Sequence, residues 1–289
     1  MRGWLVVNSF VESEKFAQIY SLLLDAAAAH GISLLQLCGD ELCDVVGGGF
    51  QDKELPDFAI FWDKDILLAR LLEDAGVRLF NCADAIDLCD NKAKTYIRLA
   101  RAGIRIPKTV IAPMTFEGVG CSRLDFLDKA IERLGLPLVI KEVYGSFGRQ
   151  VYLARTRREA EDIIEAIGYK GFVLQEFAAG SAGRDLRINI VGERAVATIL
   201  RQNENDFRSN VSGGARMEPY TPSEAQERIA VDAVRALGLD FAGVDVLFGA
   251  DGEPLICEVN SNPHFKNTLD CTGVDLAEHI MGHIQSKLT

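Results

Sequence analysis

Short apolar runs alternate with helical patterns along the N-terminal part of the chain. Trp4 to Val7 is followed by an amphipathic stretch from about Glu14 to His30 that Gly31 ends, and then by the run from Ile32 to Leu37. After Gly47-Gly48-Gly49 come Phe58 to Trp62, a second amphipathic stretch from about Asp65 to Ala75 ended by Gly76, and Val77 to Phe80. Runs of this length, each followed by a helix, predict parallel strands joined by helical crossovers, hence a sheet covered on both faces. Residues 1–88 therefore form an expected α/β unit.

A second pattern begins near Asp90, taken as the cap of a helix whose apolar positions Ala93, Tyr96, Ile97 and Ala100 recur at helical spacing before Gly103. Residues 108 to about 178 read as strand, helix, strand, glycine loop, strand, helix, strand, a compact α+β lid. From Asp185 the strands lengthen (DLRINIV, RAVATILR), and a helix is expected from about Ser223 to Leu237. GVDVLF and LICEVN follow, separated by Gly249-Ala250-Asp251-Gly252, whose Asp-Gly pair predicts a tight hairpin. A helix near 275–286 closes the chain. The expected second domain spans 89–289, with a lid at about 108–178 and a base at about 179–289.

Composition narrows the class. Of 289 residues, 48% are hydrophobic and 25% charged, the balance of a folded protein. A net charge of -11 repels a polyanion, so nucleic acid is not an expected partner. Trp4 to Val7 is too short for a signal core or a membrane span, so the expectation is a cytoplasmic protein with no membrane partner. Seven cysteines without a CxxC pair point to reduced thiols, most of them small core residues. His279 and His283 stand four apart on the last helix but lack the adjacent Glu of a zinc-protease helix, which favours a packed or solvated face. No GxGxxG marks a dinucleotide site.

The hairpin carries the densest chemistry. Glu258 and Asn260 are two apart on one strand and share a face, and the turn brings Asp245 alongside. Two acids and an amide offer hard oxygen donors suited to magnesium and leave places for phosphate oxygens; a solvated strand face is the competing explanation. Lys141 ends the run PLVIK just before Tyr144-Gly145-Ser146-Phe147-Gly148, where glycines let backbone N–H groups turn towards a phosphate. Lys92, in the first turn of its helix, opposes the dipole there, a local misfit of the kind found at functional positions.

Taken in order, DNK (90 to 92), VIK (139 to 141), GSFG, LQEF (174 to 177), GRDLR (183 to 187), DFRSN (206 to 210), AGVDVL (242 to 247) and EVNSNP (258 to 263) resemble the ATP-grasp superfamily. Within it the chain is most similar to the RimK-like alpha-L-glutamate ligases of the ribosomal protein S6 modification type. The resemblance implies an ATP-grasp fold, α/β and α+β, behind a Rossmann-like (pre-ATP-grasp) N-terminal domain. It implies that Lys92 and Lys141 contact ATP phosphates beneath a loop that includes Gly145, Ser146 and Gly148. Gln175, Glu176, Phe177 and Ala178 would frame adenine and Asp185 hold the ribose, with Arg201 and Arg208 facing phosphate and Asn210 the substrate. Asp245, Glu258 and Asn260 would hold magnesium, with manganese as the alternative ion.

The implied activity is an ATP-dependent carboxylate–amine ligation through an acyl phosphate. The implied partners are an amino acid and a carboxylate-bearing peptide, protein or metabolite, and a homo-oligomer is compatible with the sequence. A dipeptide or D-alanyl-type ligase and a non-catalytic ATP-binding regulator are the alternatives. The chain departs from the family pattern at Asn262-Pro263-His264-Phe265-Lys266, where a Pro-Gly turn is typical. His264 is a candidate general base or a packing residue, and Lys266 a candidate reader of a substrate carboxylate or a solvated lysine.

Overall fold

The computed structural model describes residues 1–146, 148–209 and 214–289. Strands β1 (Arg2–Val7), β2 (Ser33–Cys38), β3 (Phe58–Trp62) and β4 (Arg78–Phe80) form a wholly parallel sheet in the order β2-β1-β3-β4. Helices α1 (Glu14–Ala29) and α2 (Ile66–Asp74) make the crossovers, and Asp65 caps α2 by accepting from the Leu68 N–H at 3.0 Å. Successive side chains of β1 leave by opposite faces, so Leu5 and Val7 enter one core and Trp4 and Val6 another. Burial on both faces explains why these strands are unbroken apolar runs.

One of those cores is shared with the far end of the chain. Phe241, Phe265, Ile280 and Met281 pack with Ile19, Leu23, Phe58 and Trp62, and each such side chain contributes about 1.5–3 kcal/mol on burial. Helix α3 (Ala83–Asp90), absent from the sequence expectation, places Ala83 and Ile86 in one core and Ala85 and Cys89 in a second. The expected division after residue 88 falls inside it. Asp90 is not a cap as expected; it ends α3 and pairs with Lys64, while Asn91 caps α4 (Lys92–Arg101), its Oδ1 accepting from the Lys94 N–H at 3.1 Å.

An antiparallel sheet of β5 (Thr109–Ile111), β6 (Leu138–Glu142), β7 (Val151–Ala154) and β8 (Phe172–Glu176) follows, in the order β5-β8-β6-β7. Leu138, Ile140, Phe172 and Leu174 pack under α5 (Asp125–Leu134) and α6 (Arg157–Ile167). Alternation sends Val139, Lys141 and Gln175 to the opposite face, where they line a cleft.

The floor of that cleft is a second antiparallel sheet. It comprises β9 (Arg184–Val191), β10 (Arg194–Gln202), β11 (Arg216–Pro219), β12 (Phe241–Phe248) and β13 (Pro254–Asn260), in the order β11-β10-β9-β12-β13. Leu186, Ile188, Val244, Val246 and Ile256 pack against α7 (Glu224–Leu237), leaving the other face to polar residues. Ser223 and Gln226 form a reciprocal capping box on α7. Helices α8 (Lys266–Thr272) and α9 (Leu276–Leu288) close the chain. On α9, His283 meets Asp240 at 2.8 Å and turns its ring edge-on to Phe80, while His279 is exposed, the packed and solvated faces expected of them. The seven cysteines are free; Cys89 is buried and Cys38, Cys82 and Cys121 pack half-buried against the cores, so most of them take the core role expected.

Candidate active site

Two lysines enter the cleft from its upper side. Lys141, 6% exposed at the end of β6, donates to the Tyr96 hydroxyl at 3.2 Å and lies 3.5 Å from the Cys257 sulfur. Burial pushes the Cys257 thiol above its ordinary value in spite of that ammonium, so it stands there as a neutral thiol. Lys92, on the first turn of α4, donates to the Gly145 carbonyl at 2.9 Å and lies 3.3 Å from Glu258 Oε1. Helix and glycine loop are thus joined through a buried cation. Gly145 has φ 153°, and a Cβ there would lie 2.6 Å from Gln150 Oε1, so only glycine fits. Arg208 grips Asp206 with its guanidinium and gives its NH1 to the Gly148 carbonyl at 2.8 Å.

The floor holds a file of four charges, three of them buried and Arg187 half-buried. Arg187 donates to Asp245 at 2.5 and 3.0 Å, and Arg201 lies 2.9 Å from the same carboxylate. Arg201 also forks onto Asp185 at 2.7 and 2.5 Å. Burial alone would raise the Asp245 carboxyl, but Arg187 and Arg201 outweigh it and hold the group below the usual carboxylate range. Asp185 offers a ribose only a carboxylate that Arg201 already holds with both oxygens engaged, and Arg201 offers a phosphate a guanidinium already shared between two acids.

Asp245 and Glu258 face each other across the β12–β13 ladder. Directly beyond them Val246 pairs with Ile256, which leaves Cys257 as an extra residue, and this bulge lets Cys257 and Glu258 both line the cleft. Asn260 gives its Nδ2 to the Gly243 carbonyl at 3.4 Å, so Oδ1 is the atom it can offer a cation. As donor types two carboxylates and an amide suit a hard divalent cation, but Arg187 and Arg201 hold both Asp245 oxygens here and Asn260 does not line the cleft; among the described residues no three His, Cys, Asp or Glu gather as a metal site.

The cleft encloses about 730 Å³ of space, its open mouth included. Gln175, Glu176, Phe177 and Ala178 cross its inner end. Gln175 donates to Thr109 at 2.9 Å and Glu176 accepts from the Lys108 N–H at 2.8 Å, which ties both side chains to the β5 side of the cleft. Ser146 is exposed and does not line it, and Asn210 lies outside the described residues.

His264 and Lys266 are not brought to the cleft. His264 Nε2 lies 3.2 Å from the Lys15 carbonyl, with its ring edge-on to Phe16, and Lys266 pairs with Asp270 along α8. The packing and solvated alternatives describe them, because α8 begins at Lys266 and turns both side chains away. Conversely, Arg187, Tyr96 and Cys257 were not singled out from sequence. Arg187 was readable, since it stands two residues from Asp185 on one strand and must share its face.

Comparison with known proteins agrees with this geometry. Residues 89–284 match the RimK-like ATP-grasp domain. A probable alpha-L-glutamate ligase of Sodalis glossinidius (strain morsitans) is 37% identical over 222 residues, covering 76% of this chain and 72% of that one. The crystal structure of a RimK domain ATP-grasp protein from Sphaerobacter thermophilus aligns over 98% of this chain and 99% of its own, with TM-score 0.75 at 22% identity. The D-alanine–D-alanine ligase of Bacillus anthracis complexed with ATP aligns over 100% and 97%, with TM-score 0.74 at 20% identity. At those identities the two structures show the fold alone.

A cleft between two antiparallel sheets behind a parallel N-terminal sheet is the ATP-grasp architecture that the ordered motifs implied. The chain belongs to the RimK-like ATP-grasp family. Among the described residues no helix is long and apolar enough to cross a membrane.

Proposed function

We propose that the chain uses ATP to activate a carboxylate as an acyl phosphate and joins it to an amine, adding an amino acid such as glutamate to a peptide, protein or metabolite. The observation that supports this reading is the meeting of Lys92, Lys141, Asp245 and Glu258 in one cleft beside residues 175–178. In this reading that segment frames adenine, Asp185 lies at the ribose, and Lys92 and Lys141 hold the phosphates under the glycine loop.

Asp245, Glu258 and Asn260 would hold magnesium, which when bound supplies positive charge to the phosphate oxygens. The substrate carboxylate attacks the γ-phosphorus and ADP leaves. The amine nitrogen then attacks the acyl carbon, phosphate departs, and the amine loses its proton. Arg208, partly exposed at the lip, offsets charge on the transferring group, while Arg201 acts from behind by holding Asp245 and Asp185 in place. Closure of the loop excludes water from the mixed anhydride. Asn210 is assigned to the substrate side.

The test is incubation with Mg-ATP and pools of amino acids and acidic peptides, following ADP, phosphate and product masses. A dipeptide product would favour the D-alanyl-type alternative. Bound ATP with no ADP released by any pool would favour a regulator, and AMP with pyrophosphate would refute the acyl phosphate.

A further inference from the structure

The parallel sheet grows outwards in both directions from β1, with β2 on one side and β3 on the other. Strand order therefore reverses between β1 and β3. In open α/β sheets the crevice beyond the carboxyl ends of the strands at such a reversal is where ligands bind. Here the residue after β1 is Asn8 and the residue after β3 is Asp63, and Asn8 Nδ2 donates to both Asp63 carboxylate oxygens at 3.2 Å.

Asn262 arrives from the opposite side. It stands two residues beyond Asn260 and gives its Nδ2 to the Asp63 backbone carbonyl at 2.9 Å. That bond sets the direction of the amide, because the flipped group would press oxygen against oxygen. It leaves Asn262 Oδ1 buried without a hydrogen-bond partner. A buried acceptor in that condition favours any ligand that brings it a donor.

Asp63 also lacks a counter-ion. Its neighbour Lys64 sends its ammonium to Asp90, Asp65 adds a like charge, and among the described residues no cation forms an ion pair with Asp63. Burial, the largest influence on it, pushes its carboxyl upward from the ordinary value. Tyr20 lies close enough to feel the carboxylate; its hydroxyl, pushed up to about 12 by burial and then by Asp63, stays neutral. The crevice thus holds a carboxylate that Asn8 and the Lys64 N–H hydrogen-bond but that no cation among the described residues pairs, beside the unpartnered Asn262 Oδ1.

A primary ammonium is the compact group that answers both needs, with three donors and one positive charge. Building on the ligase reading above, we propose that Asp63 and Asn262 form the subsite for the ammonium group of an amino-acid substrate, with Asn8 orienting the Asp63 carboxylate. The subsite adjoins Asn260 in the chain and includes the first residue of the segment in which this chain departs from the family pattern. Substrate choice is therefore set in part where the sequence is most its own.

The experiment is saturation-transfer NMR on the full chain with a non-hydrolysable ATP analogue. The probes are the common L-amino acids and, for each that binds, the 2-oxo acid lacking the amine. The expected result is an amino acid that binds wild type while its 2-oxo counterpart does not. Asp63→Asn should weaken that binding by roughly tenfold or more. Asn262→Ala should weaken it less, with nucleotide binding and melting unchanged, and it carries the same test should Asp63→Asn not fold. Absence of amino-acid binding, equal binding of the 2-oxo acid, or undiminished binding in both variants overturns the subsite. An amino acid that binds without ever triggering ADP release would sink the ligase reading and leave the subsite standing.

Discussion

The charge file Arg187–Asp245–Arg201–Asp185 makes Asp245 a stability residue as well as a candidate metal ligand. Asp245→Asn keeps the side-chain volume and removes one of two negative charges, so two guanidiniums remain beside Asp185 alone. Breaking a buried pair from one side costs about 3–5 kcal/mol. At roughly 2 °C per kcal/mol for a chain of this size, the melting temperature should fall by about 6–10 °C. Glu258→Gln is the contrast: its side chain is 30% exposed and its ion pair is a 3.3 Å contact with Lys92, a loss of less than about 1 kcal/mol. Both variants should turn over far more slowly than wild type, but only the first should melt early. Scanning calorimetry beside an ADP-release assay separates the two effects. An Asp245→Asn protein that melts with wild type would refute the charge file, and a Glu258→Gln protein at full activity would remove Glu258 from the site. The acid limb follows in sign. A carboxyl held below the usual range stabilises the fold above the unfolded value of about 3.9, and that contribution is lost as pH falls through the lower folded value, so Asp245→Asn should flatten unfolding there.

Other substitutions test single contacts. A Cβ on Gly243 would lie 2.9 Å from Pro263 Cβ and 3.1 Å from Arg187 Cδ, so Gly243→Ala should lower the denaturant midpoint by the equivalent of about 1–3 kcal/mol; an unchanged midpoint would show that Arg187 is free to move. Lys92→Met removes the anchor of the Gly145 carbonyl and should raise the KM for ATP about tenfold or more, and a KM equal to wild type would detach Lys92 from the nucleotide. Burial holds the His264 imidazole below its ordinary 6.5, so the unfolded chain takes the proton first and stability should fall as pH drops below that value. His264→Gln should flatten that part of the profile. Iodoacetamide should label exposed Cys43 early and leave turnover intact, with inactivation appearing only once neutral, half-buried Cys257 reacts.

The layered plan was legible because hydrophobic period is a direct consequence of which face a residue buries. Phe58 to Trp62 reads as a doubly covered parallel strand and is one. The missed elements are short. Helix α3 has eight residues, β11 four and α8 seven, and each is ordered by what it packs on, as Ala85 and Cys89 of α3 are by the α7 core. The alternatives at His264 and Lys266 stayed open for the same reason. Their direction is decided by α8, whose existence the local pattern does not announce.

The candidate site was legible by face but not by partner, and two single-residue irregularities account for the difference. Alternation alone puts Asp185 and Arg187 on one face and makes Asp245 and Glu258 candidates for another. On the β9–β10 ladder, however, the register starts as Ala195 opposite Ile190 and resumes as Ala197 opposite Asn189, so Val196 is extra. Without that bulge Arg201 would stand opposite Arg184; with it, Arg201 meets Asp185 and the charge file can form. On the β12–β13 ladder the extra residue is Cys257, and without it Asp245 would face a thiol instead of Glu258. Bulges arise where side chains across several strands cannot otherwise pack, a condition set by the whole sheet and not by the segment that carries it. The chemistry of this cleft therefore depends on two insertions that leave no mark in local hydrophobic pattern. Deleting Val196 should leave the fold class unchanged while separating Arg201 from Asp185 and Asp245, turning a neutral file into an unpaired one.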